Sequence, residues 1–439
     1  MSGEQLLAAI AELPARRRVG RVSRVSTSYI EAHGPPCRLG DVCEIEQGPG
    51  RSVFGEVVAI QTGRVVLVPL EEVAGLTIGA RVMARAGASM LPVGEAFKGR
   101  AIDGMGRALD DDSTPLHDQR WPIDGRTPSP LDRTDAQHLL ATGVRAIDAF
   151  SPIGKGQRLG IFAASGVGKT TLMRQLARQI ACDHCIICLI GERGREVEDA
   201  WRELSTHDRT RFTLVAATSD TSAPLRVRAA QQALCLAEHW RARGAHVLLV
   251  LDSVTRYAMA LRELGLAAGE PPALRAYTPN VFTALARMVE RCGGLRSGGA
   301  ITALMTILCE TDDGDDPIAE AMKSLLDGHL VLSRALAERG QLPAIDVLQS
   351  LSRLASAFMD APHARSRTSA LQLLSVYDEA KIMIESGIYK TGASTDLDEA
   401  IRLRPEILSF LNQRSDENAA LEQTIADLKQ LSMRRRAHA

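Results

Sequence analysis

Residues 163–171 read Ala-Ala-Ser-Gly-Val-Gly-Lys-Thr-Thr and follow the apolar run Leu159-Gly160-Ile161-Phe162. Leu172, Leu176 and Ile180 then recur at helical spacing. A strand, a glycine turn and a Lys-Thr pair opening a helix make a phosphate-binding loop, because successive backbone N–H groups and a helix N-terminus gather positive potential with little bulk. The candidate nucleotide contacts are Ala163, Ala164, Ser165, Gly166, Val167, Gly168, Lys169, Thr170 and Thr171. Lys169 is placed to reach the β/γ-phosphates of a nucleoside triphosphate, and the Thr170 hydroxyl to ligate Mg²⁺. The pattern G-x-x-x-x-G-K-[ST] is kept except at its first glycine, which is Ala163.

Such a loop belongs in an α/β sheet, and the chain around it alternates accordingly. Strands are expected at 158–163, 185–191, 212–217, 246–252 and 300–309, separated by helical segments, which gives a largely parallel sheet over 151–365. Before it, 19–90 carries short alternating strands with glycine turns, the pattern of a small β-barrel. Residues 1–18 read as a helix ending near Pro14, 91–150 as a Gly-, Pro- and Asp-rich connector, and 366–439 as a helical domain. The 439 residues carry a net charge of −1, which gives no global basic field for nucleic acid. Neither a signal peptide nor an 18-residue apolar run is found, so a cytoplasmic location is expected. Eight cysteines fit a reducing compartment. Cys182, Cys185 and Cys188 are spaced like metal ligands, but they lie in an apolar strand run without a partner pair and are read as packing residues. Arg16–Arg18 and Arg434–Arg436 are read as solvated ends.

Two strand ends bring carboxylates to the loop. His246-Val-Leu-Leu-Val-Leu-Asp252 ends in an acid where ligands bind in such sheets, suited to the Mg²⁺ side. The run from Cys185 to Ile190 leads into Gly191-Glu192-Arg193, and a carboxylate there can polarise a water in line with the γ-phosphorus.

Together these segments resemble the catalytic subunits of the rotary-ATPase superfamily, and most closely the ATPases of type III protein export. The resemblance spans nearly the whole chain: Pro152–Phe162 with the loop, Gly191-Glu-Arg-Gly-Arg-Glu-Val197, Ala217-Thr-Ser-Asp220, Leu251–Tyr257, Gly265–Pro272, Leu326–Arg334 and Pro343-Ala-Ile-Asp-Val347. It implies that Glu192 is the catalytic carboxylate with Arg193 beside it, that Lys169 and Thr170 serve phosphate and Mg²⁺, and that Asp252 is the Mg²⁺-side acid. It further implies that Arg353, in Ser350-Leu-Ser-Arg353, is an arginine finger reaching the neighbouring subunit's site. Loop, carboxylate and finger on one chain suit a homohexameric ring.

As partners the resemblance implies stalk and regulatory proteins, export chaperones with their cargo, and peripheral association with the inner-membrane export gate; nucleic acid is not among them. Departures from the family are Ala163, Lys323 for a usual Arg, and Arg275-Ala-Tyr-Thr-Pro279 for a usual Arg-Gly-Tyr-Pro-Pro near the ring's channel. Leu342 also stands where a Tyr commonly packs on adenine. The expected activity is ATP hydrolysis driving protein export, with the flagellar system favoured because no Leu-Arg-Asn-Pro stretch follows Gly40–Cys43. The alternatives are an injectisome ATPase, an ion-translocating ATP synthase subunit, a Rho-like nucleic-acid motor and a silent nucleotide-binding subunit.

Overall fold

The structure is a computed structural model that describes residues 19–436 except 49, 86, 88, 111–112, 118, 135–137, 206–207 and 310–315. The helix expected over 1–18, with Arg16–Arg18, lies outside the described residues. Strands β1 (Val19–Val25), β2 (Ile30–His33), β3 (Val42–Gly48), β4 (Arg51–Gln61), β5 (Arg64–Pro69) and β6 (Arg81–Ala84) pair antiparallel in the order β1-β2-β5-β4-β3-β6 and close into a barrel. Their alternation sends Val22, Ile30, Ile45, Val57, Leu67 and Val82 inward as the barrel's core.

The central sheet uses β7 (Arg158–Ala163), β8 (His184–Glu192), β9 (Phe212–Thr218), β10 (His246–Asp252), β11 (Ala300–Leu308), β12 (Gly328–Leu332) and β13 (Ile345–Ser352). Their order is β13-β12-β7-β11-β10-β8-β9, parallel except for β13, and Ala101–Ile102 adds a short strand beside β9. The runs of β7 to β11 are buried almost throughout and mostly apolar, because helices cover both faces. On β8, Ile186, Cys188 and Ile190 enter one apolar layer, while Cys185, Ile187 and Leu189 enter the other.

Helices α1 (Lys169–Gln179) and α2 (Gly194–Ser205) lie on the second of these layers; α3 (Ala223–Arg241), α4 (Val254–Ala267) and α5 (Pro279–Glu290) lie on the first. The expected helical spacing overran by one residue: Ile180 is the extended residue that ends α1, although it remains buried. After α6 (Pro317–Leu325), the chain closes with α7 (Ala361–Glu385), α8 (Thr395–Leu411) and α9 (Leu421–Arg436), whose Leu373, Leu403, Ile407 and Leu428 complete the α1–α2 layer. No helix among the described residues is long and apolar enough to cross a membrane.

Two contacts fix the barrel and the following segment on the sheet domain. Arg228 of α3 is fully buried and donates to Glu56 of β4 (2.6 Å) and to the Gly40 carbonyl (3.0 Å). Breaking such a pair leaves a buried charge without its counterion, which is far costlier than losing a surface pair. Gly104 passes so close to α3 that a Cβ there would sit 2.7 Å from the Leu225 carbonyl oxygen.

The loop after α4 carries the only non-glycine residues with positive φ among those described, Arg275 (49°) and Ala276 (60°). A Cβ in the left-handed region crowds the following carbonyl, and Ala276 is where the resemblance leads one to expect glycine. Replacing Ala276 by Gly is therefore expected to stabilise the protein by about 1 kcal/mol, read as a rise in unfolding midpoint. An unchanged or lower midpoint contradicts this reading of the loop.

Candidate functional site

The carboxyl edge of the sheet gathers the loop and both strand-end carboxylates. Gly166 and Gly168 take φ of 82° and 88°, which L side chains rarely adopt, and this aims the turn between β7 and α1. Ala163 has no such demand: it is buried at the end of β7 with an ordinary backbone, and its carbonyl accepts from Cys309 N–H (3.0 Å). A glycine there is dispensable on conformational grounds. Val167 is buried and anchors the turn, while Ser165, Gly166, Gly168 and Thr171 are exposed toward a cavity of about 670 Å³. Ala164, Lys169, Thr170, Glu192 and Arg193 also line it. That volume suits a nucleotide.

Lys169 Nζ lies 2.5 Å from Asp252 Oδ1 and 3.9 Å from Glu192 Oε1. Asp252, 3% exposed at the end of β10, also accepts from the Thr306 hydroxyl on neighbouring β11 (2.7 Å). Ser253, not Asp252, caps α4 through its hydroxyl, so the carboxylate remains available to the site. Glu192 ends β8 above a narrow apolar cleft lined by Met173, Ala177, Ile187, Leu189 and Val250. Burial first, then the Asp252 charge, push its carboxyl up to about 7, against the opposing pull of Lys169. A carboxyl poised there exchanges protons near neutral pH, as a general base must.

The donor set fits Mg²⁺. Thr170 and Asp252 border the same cleft as Glu192 and offer hard oxygens, and among the described residues no group of three His, Cys, Asp or Glu could enclose a metal. Mg²⁺ keeps waters and phosphate oxygens as most of its ligands, so one or two protein oxygens suffice.

Sequence reasoning left two cations of this cavity without a role. Arg256, in the first turn of α4, lies against Gly191, where a Cβ would stand 3.1 Å from its side chain. Arg334 follows β12 and also lines the cavity. Neither Leu342 nor Arg353 lines the cavity. Leu342 lies three residues before the strand residue paired with Leu332, at the loop's end of the sheet; it is half exposed and donates its N–H to Asn412 Oδ1 (3.1 Å). Arg353 follows Ser352, which pairs with Gly328 and through it lies level with Leu159 at the far end of β7. It therefore sits ~13 Å or more from the loop along the strand direction. Arg353 is exposed, with one guanidinium nitrogen on the Lys323 carbonyl (3.1 Å), and Lys323 itself pairs with Glu320 (3.1 Å).

Known proteins share this domain architecture. Residues 143–352 match the ATP synthase alpha/beta family nucleotide-binding domain, 22–85 the β-barrel domain of that family, and 359–430 the T3SS EscN ATPase C-terminal domain. The chain belongs to the ATP synthase α/β family, among the type III secretion ATPases.

Relatives of this ATPase include the flagellum-specific ATP synthase of Salmonella typhimurium, 44% identical over 96% of this chain and 95% of that protein. The flagellum-specific ATP synthase of Bacillus subtilis is 41% identical over 98% and 99%. The type 3 secretion system ATPase of Xanthomonas euvesicatoria is 42% identical over 95% and 94%. The assembled ATPase EscN of the enteropathogenic E. coli type III secretion system superposes with a TM-score of 0.90 at 37% identity, covering 94% of this chain and all of that one.

Two outcomes follow for this ATPase. Because Glu192 holds its proton more tightly folded (about 7) than free (4.5), its ionisation opposes folding. The penalty is absent below about pH 4.5, grows as pH rises, and is complete above about 7, where it reaches at most about 3 kcal/mol. Glu192→Gln is expected to unfold at a higher temperature than wild type at pH 8, with the gap closing toward pH 5; a gap that widens toward pH 5 has the wrong sign. The second concerns the base. Among the described residues the cavity lining contains no aromatic ring, and Leu342 offers none, so stacking worth about 1 kcal/mol is missing. The kcat/KM values for ATP and GTP should lie within about ten-fold of each other, with Leu342→Tyr shifting the ratio toward ATP; a strong ATP preference in the wild-type protein contradicts this.

Proposed function

We propose that this chain hydrolyses ATP in a ring of identical subunits, each active site being built from two neighbours, and that the ring drives type III protein export. The observation that carries the reading is the division of charged groups: Lys169, Glu192 and Asp252 meet at one end of the sheet, while Arg353 is presented to solvent at the other. An arginine so placed cannot serve its own subunit's phosphates, but a head-to-tail neighbour can receive it, and head-to-tail contacts that close form rings. EscN has been solved as an assembled ATPase and, in a second structure (TM-score 0.86, 36% identity), in complex with its central stalk EscO.

In this mechanism the loop amides and Lys169 bind the β/γ-phosphates of ATP. Ionised Glu192 orients and polarises the attacking water, with Arg193 and Arg256 beside it, and Arg353 of the neighbour stabilises charge on the transferring phosphoryl group. Mg²⁺, held by Thr170 and Asp252, supplies neutralisation of phosphate charge when bound. Lys169 is held between two carboxylates, so binding polyphosphate trades one set of anions for another rather than exposing a bare cation.

A stalk in the ring's channel, chaperone–cargo complexes as the load, and peripheral attachment at the cytoplasmic face of the inner-membrane export gate complete the proposal. The flagellar system is the preferred setting on the missing Leu-Arg-Asn-Pro stretch; loss of motility on deleting the gene, with secretion of effectors intact, supports it, and the converse pattern assigns the injectisome. For the shared site, specific ATPase activity is expected to rise steeply with protein concentration as rings form. Activity that is proportional to enzyme from nanomolar upward and unaffected by Arg353→Ala contradicts it.

A further inference from the structure

The Cys-x-x-Cys pair at the start of β8 has no place in nucleotide chemistry, yet its surroundings are specific. Cys182 is half-buried, and its sulfur accepts from Arg211 Nη2 at 3.5 Å. Cys185 is fully buried in the strand, in the same apolar layer that Cys182 packs against. Arg211, just before β9, also donates to the carbonyls of Ala177 (2.9 Å), Arg178 (3.2 Å) and Ile180 (2.7 Å), the last turn of the helix that begins at Lys169.

The charges facing Cys182 favour a thiolate. Arg211 is the cation in contact. Arg178 is turned to Glu203 (2.7 Å), and the Asp183 carboxylate is turned to the His246 N–H (2.6 Å). Burial keeps His184 and His246 neutral, with values pushed down to about 3 and about 4. The carbonyl end of α1 opposes a negative sulfur, but its final carbonyls are already engaged by Arg211. The Cys185 hydrogen bond first, and Arg211 after it, bring the Cys182 thiol below the ordinary range, while burial raises Cys185. Cys37 and Cys309, the other half-buried thiols among the described residues, are both raised by burial.

We propose that Cys182 is a peroxide-reactive thiol and Cys185 its resolving partner, forming an intramolecular disulfide beside the C-terminal turn of the phosphate-binding helix. The Cys182 thiolate attacks one oxygen of a hydroperoxide; the O–O bond breaks, the leaving oxygen takes a proton, and Cys182 becomes a sulfenic acid. The Cys185 sulfur then attacks the sulfenic sulfur, the S–S bond forms, and hydroxide leaves with the Cys185 proton as water. Two thiols lose two electrons, which reduce the peroxide. The role is independent of ATP hydrolysis, and Arg211 is the positioning residue that holds the nucleophile.

The test uses the reduced full-length protein with limiting hydrogen peroxide, followed by non-reducing peptide mass mapping. A Cys182–Cys185 disulfide is expected in the wild type. In Cys185→Ala, dimedone is expected to trap a sulfenic acid on Cys182. Without peroxide, iodoacetamide at pH 7 should label Cys182 about ten-fold faster than Cys37 or Cys309, because only the thiolate reacts. Arg211→Lys should slow that labelling and shift its pH midpoint upward. Equal labelling of the three cysteines, or peroxide treatment that yields no Cys182–Cys185 linkage in the wild-type protein, overturns the proposal even if the variants fail to fold.

Discussion

The site depends on one ammonium held between two carboxylates. Lys169 opens α1 at the end of the glycine turn, and Glu192 and Asp252 end two adjacent strands beside it. Two carboxylates at the edge of an apolar sheet repel each other, and burial penalises both. Lys169 makes the arrangement tolerable, and the remaining penalty falls on Glu192, whose proton affinity rises into the neutral range. The same electrostatics thus stores a water-activating base and reserves the cation that phosphates will claim. The backing is apolar: α1 and α2 roof β8 and β10 with Met173, Ala177 and Ala200, which keeps the charges in a low-dielectric setting where they act strongly.

The rest of the fold holds that cluster in register. Glu417, just beyond α8, offers its carbonyl to Gln175 and Gln179 (3.2 and 2.9 Å), and Arg211 clamps the final carbonyls of α1, so the loop helix is fixed from its far end. At the other side of the sheet, the buried Arg228–Glu56 pair joins the barrel to α3. The barrel and the helical domain are therefore attached through separate faces of the central sheet, and among the described residues neither contributes a side chain to the cavity around the loop.

Much of this was legible in the sequence because strands buried on both faces read as unbroken apolar runs; Glu192 and Asp252 stand where such runs end, and Lys169 closes the glycine turn that follows another. The same rule finds Arg334 only if Gly328–Leu332 is read as a strand, and that strand alternates buried and half-buried residues near the sheet's edge. Edge strand β13 and the four-residue β2 are equally weak signals, the first because polar residues interrupt it and the second because of its length. Arg256 was hidden differently: it sits in the first turn of a helix, and it is the fold that brings it against Gly191 and into the cavity lining. The alanine at 163 looked like a flaw in the loop but meets no conformational demand, whereas Ala276, unremarkable by composition, carries the strain.

The central claim is that each active site takes its carboxylate and lysine from one subunit and its arginine from the next. It is tested most directly by mixing two variants, Glu192→Gln and Arg353→Ala, each inactive alone. Random co-assembly pairs an intact Glu192 with an intact Arg353 at about a quarter of the interfaces, so the one-to-one mixture should recover a comparable share of wild-type ATPase activity. A mixture as inactive as its components, under conditions where the variants are shown to co-assemble, contradicts a site shared between neighbours.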